Sequence, residues 1–185
     1  KEQNTKQKRN ENLRINKMPA FGSGNLIGSY HSTGKIKRFS AFTSTVNASF
    51  VFDATDISNA ATVDNTPNLY AKKDTNPGKM FRLSGFSSTI KTSWTDTAGS
   101  ASRGITIGSA GATKFYDAYG TTKIHFHSGF TSTITSSITD GGAGTNIWDV
   151  SHDGTNILGV DFGNTKYKRY SAFTTTIKSS FSLSA

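Results

Sequence analysis

The chain has 185 residues, a net charge of +9, 34% hydrophobic residues and no cysteine. That length allows one domain with a real core, and the missing cysteine excludes thiol catalysis, disulfide staples and cysteine metal sites. No apolar run reaches the roughly 18 residues of a membrane-spanning helix, while 13 Phe, 6 Tyr and abundant Ser, Thr, Gly and Asn favour strands and turns over helices.

From the N-terminus, residues 1–17 hold six Lys/Arg against two Glu. A polar stretch with this excess reads as an extended basic arm over residues 1–20. Lys6, Lys8, Arg9, Arg14 and Lys17 are its candidate contacts to other subunits of an assembly or to an acidic surface. Nucleic acid is not expected as the partner. No signal peptide is legible from Lys1 onward.

The rest is organised by four copies of one phrase: Lys35 to Phe50, Lys79 to Trp94, Lys123 to Ile138 and Lys166 to Phe181. Their serines, Ser40, Ser84, Ser128 and Ser171, step by 44, 44 and 43 residues. The units run 21–50, 51–94, 95–138 and 139–185. Such a period marks a supersecondary unit repeated side by side, none able to bury its apolar surface alone. Within each phrase, Lys79–Leu83 and its counterparts read as one strand. Ile90, Thr92 and Trp94 share one face of the next, at period 2. The Ser-Gly/Ala-Phe-Ser/Thr stretch between them is a short turn.

Two more strands precede each phrase. One spans Leu26–Tyr30, Leu69–Lys73, Lys114–Tyr119 and Ile157–Phe162, and leaves through turns such as Gly120-Thr121-Thr122 or Gly163-Asn164-Thr165. The innermost spans Ile57–Val63, Arg103–Gly108 and Ile147–His152, ending in turns such as Asp153-Gly154-Thr155-Asn156. In the first unit it should fall near Asn16–Phe21, where Lys17 and Pro19 oppose a central ladder.

A four-stranded meander of about 44 residues, repeated four times, reads as an all-β fold: a β-propeller of four four-stranded blades behind the basic arm. A trefoil needs three units, and a solenoid needs shorter coils. Gly28, Ala71 and Gly159 are expected to let neighbouring blades approach near the axis.

The run Asp153-Gly154-Thr155-Asn156-Ile157 to Lys166, continuing to Tyr170-Ser171-Ala172-Phe173-Thr174-Thr175-Thr176-Ile177, resembles a propeller repeat of the D-G-T-N…K-I-Y-x-H-S-G-F-S-S-T-I type. It is similar, broadly, to NHL- and TolB-like repeats. The resemblance covers residues 20 to 185 and implies a secreted protein or a structural protein of a tailed phage. Propellers host binders and enzymes alike, so fold alone does not assign chemistry.

No nucleophile elbow or P-loop is present, and no catalytic residue, cofactor or metal is assigned. His125 and His127 form a His-x-His pair with no carboxylate beside them in sequence. The corresponding positions, Lys37/Phe39, Phe81/Leu83 and Lys168/Tyr170, are strand fillers. Arg38, Arg82 and Arg169 are equivalent and could read anions or cover apolar surface with their stems. The innermost strands diverge most, which makes Asp56, Asn59, Arg103, Trp148, Asp149 and His152 the candidate binding surface at the channel mouth. The expected function is a non-enzymatic structural or binding module of a virion or extracellular particle. A lectin-like propeller with one sugar site per blade is the first alternative. A hydrolase or lyase working in the axial channel through Asp149 and His152 is the second.

Overall fold

The computed structural model describes residues 25–30, 34–40, 43–52, 58–63, 68–73, 77–96, 104–108, 114–119 and 122–183. The basic arm, with Lys6, Lys8, Arg9, Arg14 and Lys17, lies outside them, as does the innermost strand expected at 16–21. Asp56 and Arg103 lie outside them too.

The described chain is all-β, and its sheets are antiparallel meanders arranged as a four-blade β-propeller. Blade I contains β1 (Asn25–Tyr30), β2 (Lys35–Ser40) and β3 (Val46–Val51). Blade II contains β4 (Ser58–Val63), β5 (Asn68–Lys73), β6 (Gly78–Ser84) and β7 (Ile90–Asp96). Blade III contains β8 (Ile105–Ile107), β9 (Lys114–Tyr119), β10 (Lys123–Ser128) and β11 (Ile134–Thr139). Blade IV contains β12 (Ile147–His152), β13 (Ile157–Asp161), β14 (Lys166–Tyr170) and β15 (Ile177–Ser182). Three blades are thus four-stranded, and blade I shows three strands among the described residues.

The repeated phrase is a hairpin, and local hydrogen bonds account for its spelling. Ser40, Ser84 and Ser171 donate their N–H to the carbonyls of Thr45, Thr89 and Thr176, closing the loop. Inside it, the hydroxyls of Thr43, Ser87 and Thr174 donate to the serine carbonyls at 2.5, 2.6 and 2.7 Å. The same hydroxyls accept the N–H of Thr45, Thr89 and Thr176. A short hydroxyl is therefore required three residues after the serine, because a longer side chain cannot reach both groups. The residue after the serine is left-handed: φ is 61° at Gly85, 96° at Gly129 and 49° at Ala172. Glycine takes that conformation freely; alanine does so at a cost.

A bulge recurs in the same hairpin of every blade. The register slips between Arg38 and Phe39, Arg82 and Leu83, Phe126 and His127, and Arg169 and Tyr170. Such bulges add local twist, so all four sheets share one curvature and can nest.

Nesting produces three seams. Ile36, Leu69, Ala71, Phe81 and Leu83, with Phe50 and Phe86, fill the seam between blades I and II. Ala60, Tyr70, Met80, Ile105 and Phe115, with Trp94 and Phe130, fill the second. Tyr116, Ala118, Ile124, Ile138, Ile147, Val150, Ile157 and Tyr170, with Phe126 and Phe173, fill the third. Blades II and III each give one set of positions to the seam before them and the alternate set to the seam after, as period 2 requires. The phrase phenylalanines Phe86, Phe130 and Phe173 all face the preceding blade.

Of the small residues of the second strand, Ala71 is buried in the seam between blades I and II, while the two glycines serve a different purpose from the one expected. A Cβ on Gly159 would lie 3.1 Å from Tyr170 Cε2, and one on Gly28 would lie 3.4 Å from Phe39 Cε2. They make room for the ring of the adjacent strand in their own blade, not for the approach of a neighbour. The close approach between blades occurs at Gly104, where a Cβ would fall 2.5 Å from the Asp149 Cα and strike its carboxylate.

Candidate functional site

Of the six residues expected at the channel mouth, Trp148, Asp149 and His152 are described with their side chains. Asn59 lies in β4, its side chain outside the described set, as are Asp56 and Arg103. All three described residues sit on β12, but they do not converge on one point. Trp148 stacks on Phe162 at 3.9 Å between ring centroids. Asp149 stands where the inner strands of blades III and IV crowd. Burial pushes its carboxyl up, against a 2.8 Å hydrogen bond from the Val150 N–H, while one edge stays open to solvent. His152 stacks on Tyr116 at 5.5 Å, and its Nδ1 accepts the Gly154 N–H at 2.9 Å. The imidazole proton then belongs on Nε2. Burial lowers the His152 pKa; Asp153 opposes the shift and Lys114 adds to it.

The three arginines occupy separate places. Arg38 lies with its Cζ 5.3 Å from the centre of the Phe86 ring, across the first seam. Arg82 is half-buried on the face that β6 turns to blade III. The Nε atoms of Arg38 and Arg82 are buried without a hydrogen-bond partner among the described residues. Arg169 donates from Nε and Nη2 to Asp153 Oδ2 at 3.0 and 2.8 Å, on the open face of blade IV. Asp153 also caps its own turn by accepting the N–H groups of Thr155 and Asn156, which holds its carboxyl well below the usual carboxylate range.

The His-x-His pair has a carboxylate after all. Asp117 pairs directly across from His125 in the β9–β10 ladder, and the donor atoms of Asp117, His125 and His127 lie within 4.8 Å of one another. All three are buried. The antiparallel register of β9 and β10, with Lys123 opposite Tyr119, brings Asp117 opposite His125, which sequence adjacency could not show. His127 Nδ1 lies 3.1 Å from the Thr133 carbonyl, to which it donates. His127 Nε2 lies 2.8 Å from Asp117 Oδ1, a contact that requires one proton between them. His125 stacks on Tyr119 at 4.4 Å; burial lowers its pKa, with Asp117 opposing that shift. The cluster is a buried polar patch in an aromatic seam, with Trp94 and Phe115 around His127.

A second buried polar cluster was not legible in the sequence. Lys168 Nζ donates to Asp140 Oδ2 at 2.7 Å and lies 2.6 Å from Asp161 Oδ2. The Tyr170 hydroxyl donates to Asp140 Oδ2 at 2.7 Å, tying blade III to blade IV. Asp161 also accepts the N–H groups of Asn146 and Asn164. Burial would raise both carboxyls, but these donors outweigh it: Asp140 is lowered and Asp161 falls to about 2. Lys168 is raised, its burial overcome by the two carboxylates, and Tyr170 is raised by burial and by Asp140.

A sugar site in each blade would need exposed aromatic groups at matching positions, but of the equivalent residues Phe39, Leu83, His127 and Tyr170 the last three are buried in the seams and Phe39 is half-buried. The large exposed side chains lie elsewhere: Phe162, Tyr167, Phe181 and Leu183 on blade IV, Leu26 and Val51 on blade I, and the equivalent residues Val46, Ile90, Ile134 and Ile177 that open the last strand of every blade.

The set of buried seams between twisted four-stranded meanders defines the class: a β-propeller. No family profile and no curated protein sequence matches the chain. Solved structures do. It resembles the glutaminyl cyclase of Myxococcus xanthus (TM-score 0.68, 14% identity, 84% of this chain and 65% of that one). It also resembles the Pan2 WD40 domain of Neurospora crassa (TM-score 0.59, 12% identity, 85% and 46%) and the WD40 repeats of RRP9 (TM-score 0.57, 6% identity, 82% and 46%). The chain thus spans about half to two thirds of the length of these proteins. The likenesses establish the propeller fold; the NHL- and TolB-like character rests on the repeated phrases alone. Among the described residues no helix is long and apolar enough to cross a membrane.

Proposed function

We propose that this chain is a structural and binding module without catalytic activity, working as a component of a larger assembly such as a virion or extracellular particle. The observation that carries the reading is the outer face of blade IV. The Trp148–Phe162 and Tyr167–Phe181 stacks, 3.9 and 5.2 Å between centroids, lie where Phe162, Tyr167 and Phe181 remain exposed. Contiguous apolar surface of this kind marks an interaction site. The basic arm supplies a second contact, to an acidic surface of a neighbouring subunit. Density-gradient sedimentation of material from the producing cells, followed with an antibody to the chain, tests it. The chain should band with particles far heavier than its own 19.9 kDa. Recovery at the top of the gradient alone would sink the reading.

A second reading is favoured by Asp149, whose carboxyl is raised by burial beside the inner strands, and by the likeness to a glutaminyl cyclase. It makes the chain an enzyme with Asp149 as acid or base. A glutaminyl cyclase assay of the chain and of Asp149→Asn decides it: activity lost in the variant would favour this reading over the first.

A further inference from the structure

The two outermost sheet faces are the two halves of one more seam, and we propose that they join two copies of this chain head to tail. The argument rests on repeat equivalence. On the face each blade turns to its successor, Ile36, Met80 and Ile124 occupy one position, and Tyr167 is their counterpart in blade IV. The first three are 0%, 0% and 1% exposed; Tyr167 is 38% exposed. Phe50, Trp94 and Ile138 occupy a second position, packed into the three seams, and their counterpart Phe181 is 63% exposed. Ile27, Tyr70 and Tyr116 occupy a third, packed likewise, with Leu158 as counterpart. Alternation along β13 places Val160 and Phe162 on the same side as Leu158, and Trp148 stacks on Phe162.

The face each blade turns to its predecessor has the matching vacancy in blade I. Leu69, Phe115 and Ile157 are 0–1% exposed; their counterpart Leu26 is 45% exposed. Leu26 and Phe39 line an open apolar hollow of about 390 Å³ with Thr43 and Ser44. Leu158, Tyr167 and Phe181 line another of about 260 Å³ with Lys168, Arg169 and Ser179. Among the described residues, no packing like that of the three internal seams joins blade IV to blade I. Among the described residues each end therefore carries seam-type residues with nothing of the blade type against them, and each is the partner that the other's positions specify. A second copy satisfies both ends at once, by a heterologous contact used twice. The resulting eight blades fall within the range of closed propellers.

This names a partner for the assembly reading above and can fail while that reading stands, because it concerns the purified chain alone. Light scattering during size exclusion should give twice 19.9 kDa for the chain. Phe181→Lys and Leu26→Lys should each give monomers with an unchanged circular dichroism spectrum, since both residues are exposed. Lysine is chosen because each face already carries a cation, Lys37 on blade I and Arg169 on blade IV. Mixing the two variants should restore a dimer, because one intact junction remains between them; a back-to-back dimer could not be rescued this way. A monomeric parent chain up to roughly 100 μM, a concentration at which even a micromolar contact forms, would overturn the proposal. So would a dimer that survives either substitution.

Discussion

The first and third seams solve one packing problem with different chemistry. Between blades I and II the buried cluster is apolar, from Leu69 and Leu83 to the edge-to-face rings of Phe50 and Phe86, 4.9 Å apart, with the Arg38 guanidinium lying over Phe86 at its border. Between blades III and IV the same position that holds Leu83 holds Tyr170, whose hydroxyl reaches Asp140, and Phe81 gives way to Lys168. Both arrangements hold because the second leaves its charges paired: Lys168 meets two carboxylates, and Asp161 accepts two backbone N–H groups besides. A buried ion pair gives little net stability over an apolar core, but breaking one leaves an uncompensated charge. The apolar seam should therefore fail by degrees and the polar seam abruptly.

Removing Asp161 should be the most damaging single change. Asp161→Ala leaves Lys168 with one carboxylate in place of two and strips the N–H groups of Asn146 and Asn164 of their buried acceptor, and should cost about 3–5 kcal/mol in urea unfolding. A loss below about 1 kcal/mol would show that the network is slack. In the first seam, Leu69→Ala removes only packing and should cost about 2–4 kcal/mol. Equal or greater damage from Leu69→Ala would reverse the comparison.

Acid should separate the seams without mutation. Asp140 and Asp161 are lowered in the folded chain, so their contribution is present above the unfolded carboxylate value, near 4, and is lost as pH falls toward about 2. Amide exchange should therefore quicken in β14 and β15 at low pH before it does in β2 and β6. A uniform response across the blades would contradict this. The smallest effect is expected at the turn of blade IV. Ala172 is left-handed where blades II and III carry Gly85 and Gly129. Ala172→Gly should raise the melting temperature slightly, for a gain of up to about 1 kcal/mol; a loss would mean that the methyl group packs usefully.

Much of the fold was legible because its causes are local. The period of the serines, the alternation of Ile90, Thr92 and Trp94, and the turn hydroxyls Thr43, Ser87 and Thr174 all act within a few residues. Strand limits held to within about two residues: Arg103–Gly108 is Ile105–Ile107 in the structure, and Ile157–Phe162 is Ile157–Asp161. The polar clusters were not legible, because their members meet by register and packing. Asp117 faces His125 only once the hairpin is closed, and Asp140 reaches Lys168 across 28 residues of chain. Nor does a motif flag the open faces: Tyr167 and Phe181 look like their buried counterparts and differ only in what stands beside them.

The sequence by itself determined the unit, its four strands, its turn and which residues alternate on each face, since backbone periodicity and side-chain hydrogen bonding decide those within one meander. Only the tertiary structure decided which faces meet, which charges are paired in the dark and which apolar rings stay in water. Those outcomes depend on the fit of one twisted sheet against the next, and burial is a property of neighbours rather than of the residue itself.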